Sequence, residues 1–489
     1  MAIDERETHV VMNDGVRLDT SICTPEGEAP DGGWPGILLI HGHGDASSKA
    51  ATLGPGRRYA GRGYLAVCYS VRGQGCSDGL TFHMGPREVY DLQDVISWVL
   101  RELPVHPKKL GVVGSSQGGW HAWMAAAHHP DVATVIPQNI FTRYDEFAVH
   151  NGCLTKWFFT RTMRRRILSA GFQELMRQWA LSGDWDLIRE WARVRSPILF
   201  VDRIRCPVFV VHGWHDVGMP PDEVLEMYDR LDVPKKLYMG GGGHDGKDAP
   251  EASELRQTLI DRWLAHWLKG ESNGILDEPP IQYAIRPGWE HGDLKALPPG
   301  DVETRVLHLR SGGKLSVEAP PGPDTHANVA NRPLKSDYTL ESAIDDDMAG
   351  VPEGLAREVV SFEAEPADGP MDILGAPVAS FYMLPNRPFL QVHAELYDVG
   401  PDGEERLITR GHYGTRTARP GGHVTVRILL RAIGYQLAAG HRVRLDVSNY
   451  DAVYAFPYFE PFYARLFHDN VHASMIEIPA RQNPESSSR

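Results

Sequence analysis

Residues 114–118 read Gly-Ser-Ser-Gln-Gly, which sets a serine hydroxyl at the centre of a G-x-S-x-G pentapeptide. Serine is a weak nucleophile at its own pKa, so it needs an imidazole to take its proton and a carboxylate to orient that imidazole. Both partner types follow in the chain: His212-Gly-Trp-His-Asp216 closes one apolar run and Gly240-Gly-Gly-Gly-His244-Asp-Gly closes the next. Ser116, Asp216 and His244 thus stand in the order Ser, Asp, His. The pattern predicts acyl transfer to water through an acyl-enzyme on Ser116. Ser115 is the off-centre neighbour of the nucleophile, and Asp202 and Asp245 are the rival acids. The tetrahedral oxyanion needs N–H donors. These are expected from Gln117, the residue after the nucleophile, and from His43 and Gly44 in the loop His41-Gly-His-Gly-Asp45. The same loop partly fits a His-x-His-x-Asp-His metal motif, but Ala46 holds the last position, so no metal is expected and no cofactor.

Such residues must be held at the ends of strands. The apolar runs 37–40, 65–69, 110–113, 134–136, 207–211 and 236–239 are continuous rather than alternating, as in strands buried on both faces of a parallel sheet. Residues 88–100 carry apolar side chains at helical spacing, and the stretch 120–127 after the serine is helix-like. An α/β open sheet follows, whose ligands bind beyond the carboxyl ends of its strands, where the three candidate residues fall.

From 141 to 205 the strand rhythm stops, and Trp157, Trp179, Trp185 and Trp191 fall in helix-compatible stretches, as in a helical cap inserted between core strands. This segment holds twelve Lys/Arg against seven Asp/Glu in a chain of net charge −14, which suits neutral or anionic substrates. The candidate pocket comprises His41, Trp120, Trp157 and Trp214. Beyond Gly270-Glu-Ser-Asn-Gly274 and Pro279-Pro280 the pattern alternates, and Gly400-Pro-Asp-Gly403 joins two alternating runs in a hairpin signal. An all-β sandwich is expected there. The domains expected are a core of 1–140 with 206–272, a cap of 141–205, a sandwich of 273–480 and a disordered tail of 481–489.

Composition bounds the function classes. With 42% hydrophobic and 23% charged residues among 489, the chain has material for two or three domains. Its acidity disfavours nucleic acid as a partner, no apolar run is long enough for a membrane span, and the charged N-terminus is no secretory signal. A cytoplasmic protein acting on a small ester or amide, with homo-oligomerisation open, is the expectation. Five scattered cysteines form no CxxC pair and read as buried thiols.

The stretches Val71-Arg-Gly-Gln-Gly-Cys-Ser-Asp-Gly79, Asp91-x-x-Asp94, Gly114-Ser-Ser-Gln-Gly-Gly119, Gly213-Trp-His-Asp216, Leu396-Tyr-Asp-Val-Gly-Pro-Asp-Gly403 and Gly440-His-Arg-Val-Arg-Leu445 occur in distinctive order. In these the chain resembles the family of cocaine esterase, X-prolyl dipeptidyl-peptidases and α-amino-acid ester hydrolases. The resemblance implies an α/β-hydrolase core with a helical cap, followed by a jelly-roll. Cocaine esterase and its closer relatives have Tyr after the nucleophile and a Tyr hydroxyl in the oxyanion hole, whereas this chain has Gln117 and the His41–Gly44 loop. The Arg-Gly-Gln-Gly and Gly-Ser-Ser-Gln-Gly-Gly stretches also resemble acetyl-xylan and cephalosporin-C deacetylases, which lack the sandwich. A carboxylesterase is the leading reading. An Xaa-Pro dipeptidyl-peptidase or other amidase is the alternative, and a non-enzymatic binding protein would leave the ordered triad unexplained.

Overall fold

The computed structural model describes residues 2–44, 46–163, 167–244, 246–323, 325–333, 339–345, 355–451 and 453–482. Ten strands form the first sheet: β1 Ile3–Val11, β2 Arg17–Pro25, β3 Trp34–Ile40, β4 Leu65–Tyr69, β5 Val105–Ser115, β6 Val132–Gln138, β7 Val208–Gly213, β8 Lys235–Gly240, β9 Ile281–Ile285 and β10 Glu290–Leu294. Their order is β1-β2-β4-β3-β5-β6-β7-β8-β9-β10. From β4 to β9 every pairing is parallel, and the hairpins β1–β2 and β9–β10 close the two edges antiparallel. The continuous apolar runs of the sequence are the central strands, and their alternation sorts them onto two helical layers. Ile37, Leu39, Val113 and Phe209 pack with Tyr59 of α1 (Ala50–Ala60) and Trp263 of α8 (Pro250–Leu264). Leu38, Ile40, Val112 and Val210 face the opposite layer, with Val95 of α2 (Pro86–Glu102) and Trp123 of α3 (Gln117–His128).

Between β6 and β7 the chain forms α4 (Tyr144–Ala148), a π-helical stretch Trp157–Met163, α5 (Ala170–Ser182), α6 (Asp186–Arg193) and a 3-10 turn Pro197–Arg203, with two short strands at 149–150 and 153–154. Its aromatic residues continue the core that lies on the α2–α3 side of the sheet. Tyr144 stacks on Phe141 at 4.6 Å and meets Trp191 edge-on at 5.4 Å. Helix α7 (Pro221–Arg230) then leads from β7 to β8.

The C-terminal half is mostly β. Strands Leu390–Val399 and Glu405–Thr415 form the expected hairpin around residues 400–404, and Arg442–Ser448 pairs with the former on its other edge. Two expectations are corrected here. The first sheet does not stop before residue 273, because β9 and β10 join it beside β8; Pro279-Pro280, taken as part of the boundary, immediately precedes β9, where a residue without an N–H is tolerated on entry to a strand. Nor is the tail disordered from 481: Arg481 and Gln482 pair with Asp372 and Met371, and Arg481 Nη1 lies 3.0 Å from Asp301. Residues 483–489 lie outside the described residues.

The two halves share buried polar groups. Arg431, from the C-terminal half, reaches Asp222 of α7 at 3.6 Å and hydrogen-bonds Tyr454, while the Ala432 N–H donates to Asp222 at 2.6 Å. Glu223 beside it is buried, which pushes its carboxyl well above the usual range. The rings of His393 and His412 lie 5.4 Å apart, tilted, in the same region. Burial pushes His393 down to about 3 and holds His412 well below the ordinary histidine value; it also takes His215 to about 3 and His121 to about 4. These four imidazoles are neutral when folded, but in the unfolded chain they bind protons below about pH 6.5. Stability is therefore complete above that pH and falls as pH drops below it, by ~1.4 kcal/mol per pH unit for each group, with Glu223 opposing over part of the range. Urea midpoints are expected to be flat from pH 7 to 8 and to fall steeply from 6.5 to 4.5; a flat acid limb would refute the assignment of neutral buried histidines.

Candidate active site

Ser116 sits between the last residue of β5 and the first of α3, at φ 56° and ψ −124°. A positive φ costs a non-glycine residue about 1–3 kcal/mol and persists only where the surroundings enforce it. Here the Ser116 N–H donates to Gln138 O at 2.9 Å, and Ser116 O accepts from Trp120 N at 3.1 Å. The glycines of the motif allow the approach. A Cβ on Gly114 would lie 2.3 Å from Gly118 O, and one on Gly118 would lie 2.0 Å from Ile40 O. Ser115 is exposed.

His244, beyond β8, places Nε2 3.1 Å from Ser116 Oγ and Nδ1 2.8 Å from Asp216 Oδ2. Asp216, buried beyond β7, accepts with its other oxygen from the N–H groups of Gly218 at 3.1 Å and Met219 at 2.8 Å. A carboxylate so anchored can accept only from a protonated Nδ1, which leaves the Nε2 lone pair for the serine proton. The loop bearing His244 is braced by Asp248, whose Oδ1 accepts from Gly242 N at 2.8 Å while Oδ2 meets Arg256 at 2.6 Å. Of the rival acids, Asp202 is exposed on the 3-10 turn, and Asp245 lies outside the described residues.

Of the four expected pocket residues, Trp157 reaches the triad: its ring meets His244 edge-on at 5.7 Å and lies against Gly218. The other three are engaged elsewhere. His41 is buried with both ring nitrogens on backbone, Nδ1 donating to Gly42 O at 2.7 Å and Nε2 accepting from Val71 N at 3.0 Å. Trp120 lies in the core of α3 and donates to Arg195 O at 2.8 Å. Trp214 is buried against Gly434 of the C-terminal half.

Gln117 heads α3, where the first N–H groups of a helix have no carbonyl within it to bind. The loop 41–44 comes closest at Gly42, where a Cβ would lie 3.4 Å from Ser116 Cβ and 3.9 Å from Oγ. The Gly44 N–H is turned instead to Gln74 Oε1 at 3.4 Å, so the expected donor at Gly44 is committed to a side chain. The backbone of 42–43 and of Gln117 is left as the candidate oxyanion cradle.

The family model for X-Pro dipeptidyl-peptidase (S15 family) matches residues 14–246, and the model for the C-terminal non-catalytic domain of those enzymes matches 273–460. The chain belongs to the S15 family. A Mycobacterium bovis protein named as a serine esterase is 21% identical, with 97% of this chain and 95% of that one covered. Among solved structures, an α-amino acid ester hydrolase superposes with a TM-score of 0.78 at 18% identity, covering 98% of this chain and 97% of that one. A CocE/NonD family hydrolase from Staphylococcus aureus superposes at 0.75 with 16% identity, over 98% and 94%. Both likenesses speak to the fold: a hydrolase-type domain followed by a mostly β domain.

Sequence reasoning missed two groups beside this S15 site. His83 and Met84 both have positive φ, 54° and 55°, and His83 is buried, hydrogen-bonded to the Tyr144 hydroxyl and edge-on to His43 at 4.4 Å. Burial holds His83 well below its ordinary pKa, so it is neutral. No local pattern marks it. Gln74, by contrast, lay inside the quoted motif 71–79, where it was read only as part of a family signature.

Proposed function

We propose that this chain is a serine hydrolase that cleaves carboxylic esters through an acyl-enzyme on Ser116. The observation that carries the reading is one imidazole, that of His244, bonded at 2.8 Å to a buried carboxylate and at 3.1 Å to the elbow hydroxyl. As Oγ bonds the ester carbon, Nε2 takes its proton. Collapse of the tetrahedral adduct breaks the bond to the alcohol oxygen, which leaves with that proton. Water repeats the cycle, releasing the acid and restoring the Ser116 hydroxyl. The oxyanion sits against the N–H of Gln117 and the 42–43 backbone, each donor worth about 2.7–4 kcal/mol.

Release of Xaa-Pro dipeptides is the second reading, favoured by the name of the matching family model. It requires carboxylates to hold a substrate ammonium. Each of the buried acids next after Asp216 has a polar contact of its own: Asp222 faces Arg431 at 3.6 Å, and one Glu223 oxygen accepts from Arg143 N at 3.2 Å. In the inserted segment Glu146 faces Arg189 at 3.2 Å. These pairings also trim the positive rim expected there, since Arg143 meets Glu226 at 2.6 Å and Arg193 meets Glu190 at 3.0 Å. Neutral acyl groups fit this environment better than ammonium-bearing ones.

A panel of p-nitrophenyl esters against Xaa-Pro-p-nitroanilides tests the class, with esters expected to be turned over faster. An N-acetylated amino-acid ester should show a higher kcat/KM than its free-amine counterpart, and the gap should narrow as salt rises. Preference for the free amine would move the assignment to the peptidase reading.

A further inference from the structure

We infer that Gln74 is a positioning residue for the reaction: its side-chain amide clamps the loop 42–44 to the start of α3 and so fixes the oxyanion donors around Ser116. The inference rests on the reading of Ser116 given above. Gln74 is buried in the segment 72–75, which Arg72 anchors to Asp91 of α2 through Nε at 2.6 Å and Nη2 at 2.8 Å. Its Oε1 accepts from Gly44 N at 3.4 Å, and its Nε2 donates to Gln117 Oε1 at 3.0 Å. The same Gln117 oxygen lies 2.9 Å from His43 Nδ1. Gln74 therefore joins the amide that follows His43 to the side chain of Gln117, and among the described residues none of its hydrogen bonds reaches Ser116, His244 or Asp216.

One backbone group sets the direction of every bond in this chain. The Gly44 N–H can only donate, so the Gln74 atom facing it is the carbonyl oxygen and the atom facing Gln117 is the amide nitrogen. Gln117 must then present its own oxygen, and His43 Nδ1 must carry a proton. Flipping either amide would set donor against donor or acceptor against acceptor. The arrangement leaves Gln117 Nε2 buried with no partner among the described residues, an orientation the side chain would not hold without the two donors on its oxygen. Gln117 is also the residue whose N–H heads α3, so the clamp acts on the peptide unit next to the nucleophile. Cradle donors act only on the charge that develops in the transition state, so slackening them lowers kcat and leaves substrate binding alone.

The test uses the full chain with two substitutions. Gln74→Met keeps the volume and removes both bonds. Gln74→Glu keeps an acceptor for Gly44 but turns an oxygen toward Gln117 Oε1, which must rotate and release His43. In both variants kcat on a p-nitrophenyl ester is expected to fall about 10²-fold with KM within about twofold. Affinity for a trifluoromethyl ketone, whose adduct carries the oxyanion, should fall by the factor lost from kcat/KM. Either variant folding normally with kcat within about threefold of the parent, or losing kcat/KM through KM alone, would overturn the inference. If Gln74→Met does not fold, Gln74→Glu decides by the same criteria; failure of both to fold would make Gln74 a residue of the fold and overturn it as well. Fluorophosphonate labelling of the unmodified protein separates the two levels. Absence of label on Ser116 sinks the underlying reading, whereas label on Ser116 with unchanged Gln74 variants sinks only the clamp.

Discussion

Ser116→Ala is expected to lower kcat on a p-nitrophenyl ester by roughly 10⁴ to 10⁶ while leaving the melting temperature nearly unchanged. The change removes one hydroxyl whose hydrogen-bond partner is His244 Nε2. The turn around it is held by backbone bonds to Gln138 and Trp120 that alanine retains. Ser115→Ala is the internal control. That side chain is exposed, so its loss should leave turnover intact. Full activity in Ser116→Ala with loss in Ser115→Ala would mean that the elbow has been misassigned.

The second large effect belongs to Asp216→Asn, for which a loss of about 10⁴ in kcat is expected with little change in stability. The geometry dictates how the amide must sit. Two backbone N–H groups, of Gly218 and Met219, point at Oδ1, so the asparagine oxygen takes that position and its NH₂ takes the place of Oδ2 facing His244. Imidazole can accept from that NH₂ only with Nδ1 unprotonated. Its proton then moves to Nε2, toward the serine, and no lone pair remains to receive the Ser116 proton. Asp245→Asn should be mild by comparison. Stopped-flow assays of both variants, with near-ultraviolet circular dichroism to check the fold, decide between them; a severe loss in Asp245→Asn with a mild one in Asp216→Asn would reassign the acid.

How far the molecule could be read from its residues differs by element. The central strands were legible because parallel strands buried on both faces are continuous apolar runs, and the places of Asp216 and His244 beyond strand ends were legible because each follows such a run. The hairpin β1–β2 was not, since Asp4-Glu-Arg-Glu7 is charged and exposed on an edge that needs no apolar face. Hairpin β9–β10 was hidden behind a Pro-Pro pair that reads as a boundary. His41, Trp120 and Trp214 were drawn into the pocket by residue type, yet the Val71 amide, the Arg195 carbonyl and Gly434 that hold them lie far away in sequence, which spacing cannot reveal. Gly44 was chosen over Gly42 because loop direction depends on the Gln74 bond, a contact across thirty residues.

Arg431 bears on how the protein is made. Synthesis runs from the N-terminus, so Asp222 and Glu223 leave the ribosome well before the guanidinium that answers them. At about 5–20 residues per second, the interval between Glu223 and Arg431 is roughly 10–40 s. During that time the nascent first half has its elbow and its imidazole loop, but Trp214, two residues before Asp216, lacks its seat on Gly434, and the acids of α7 lack their counter-charge. Completion of the second half is the event that finishes the surroundings of Asp216. The late-arriving domain thereby times when the proposed site is assembled, long after Ser116 itself has been translated.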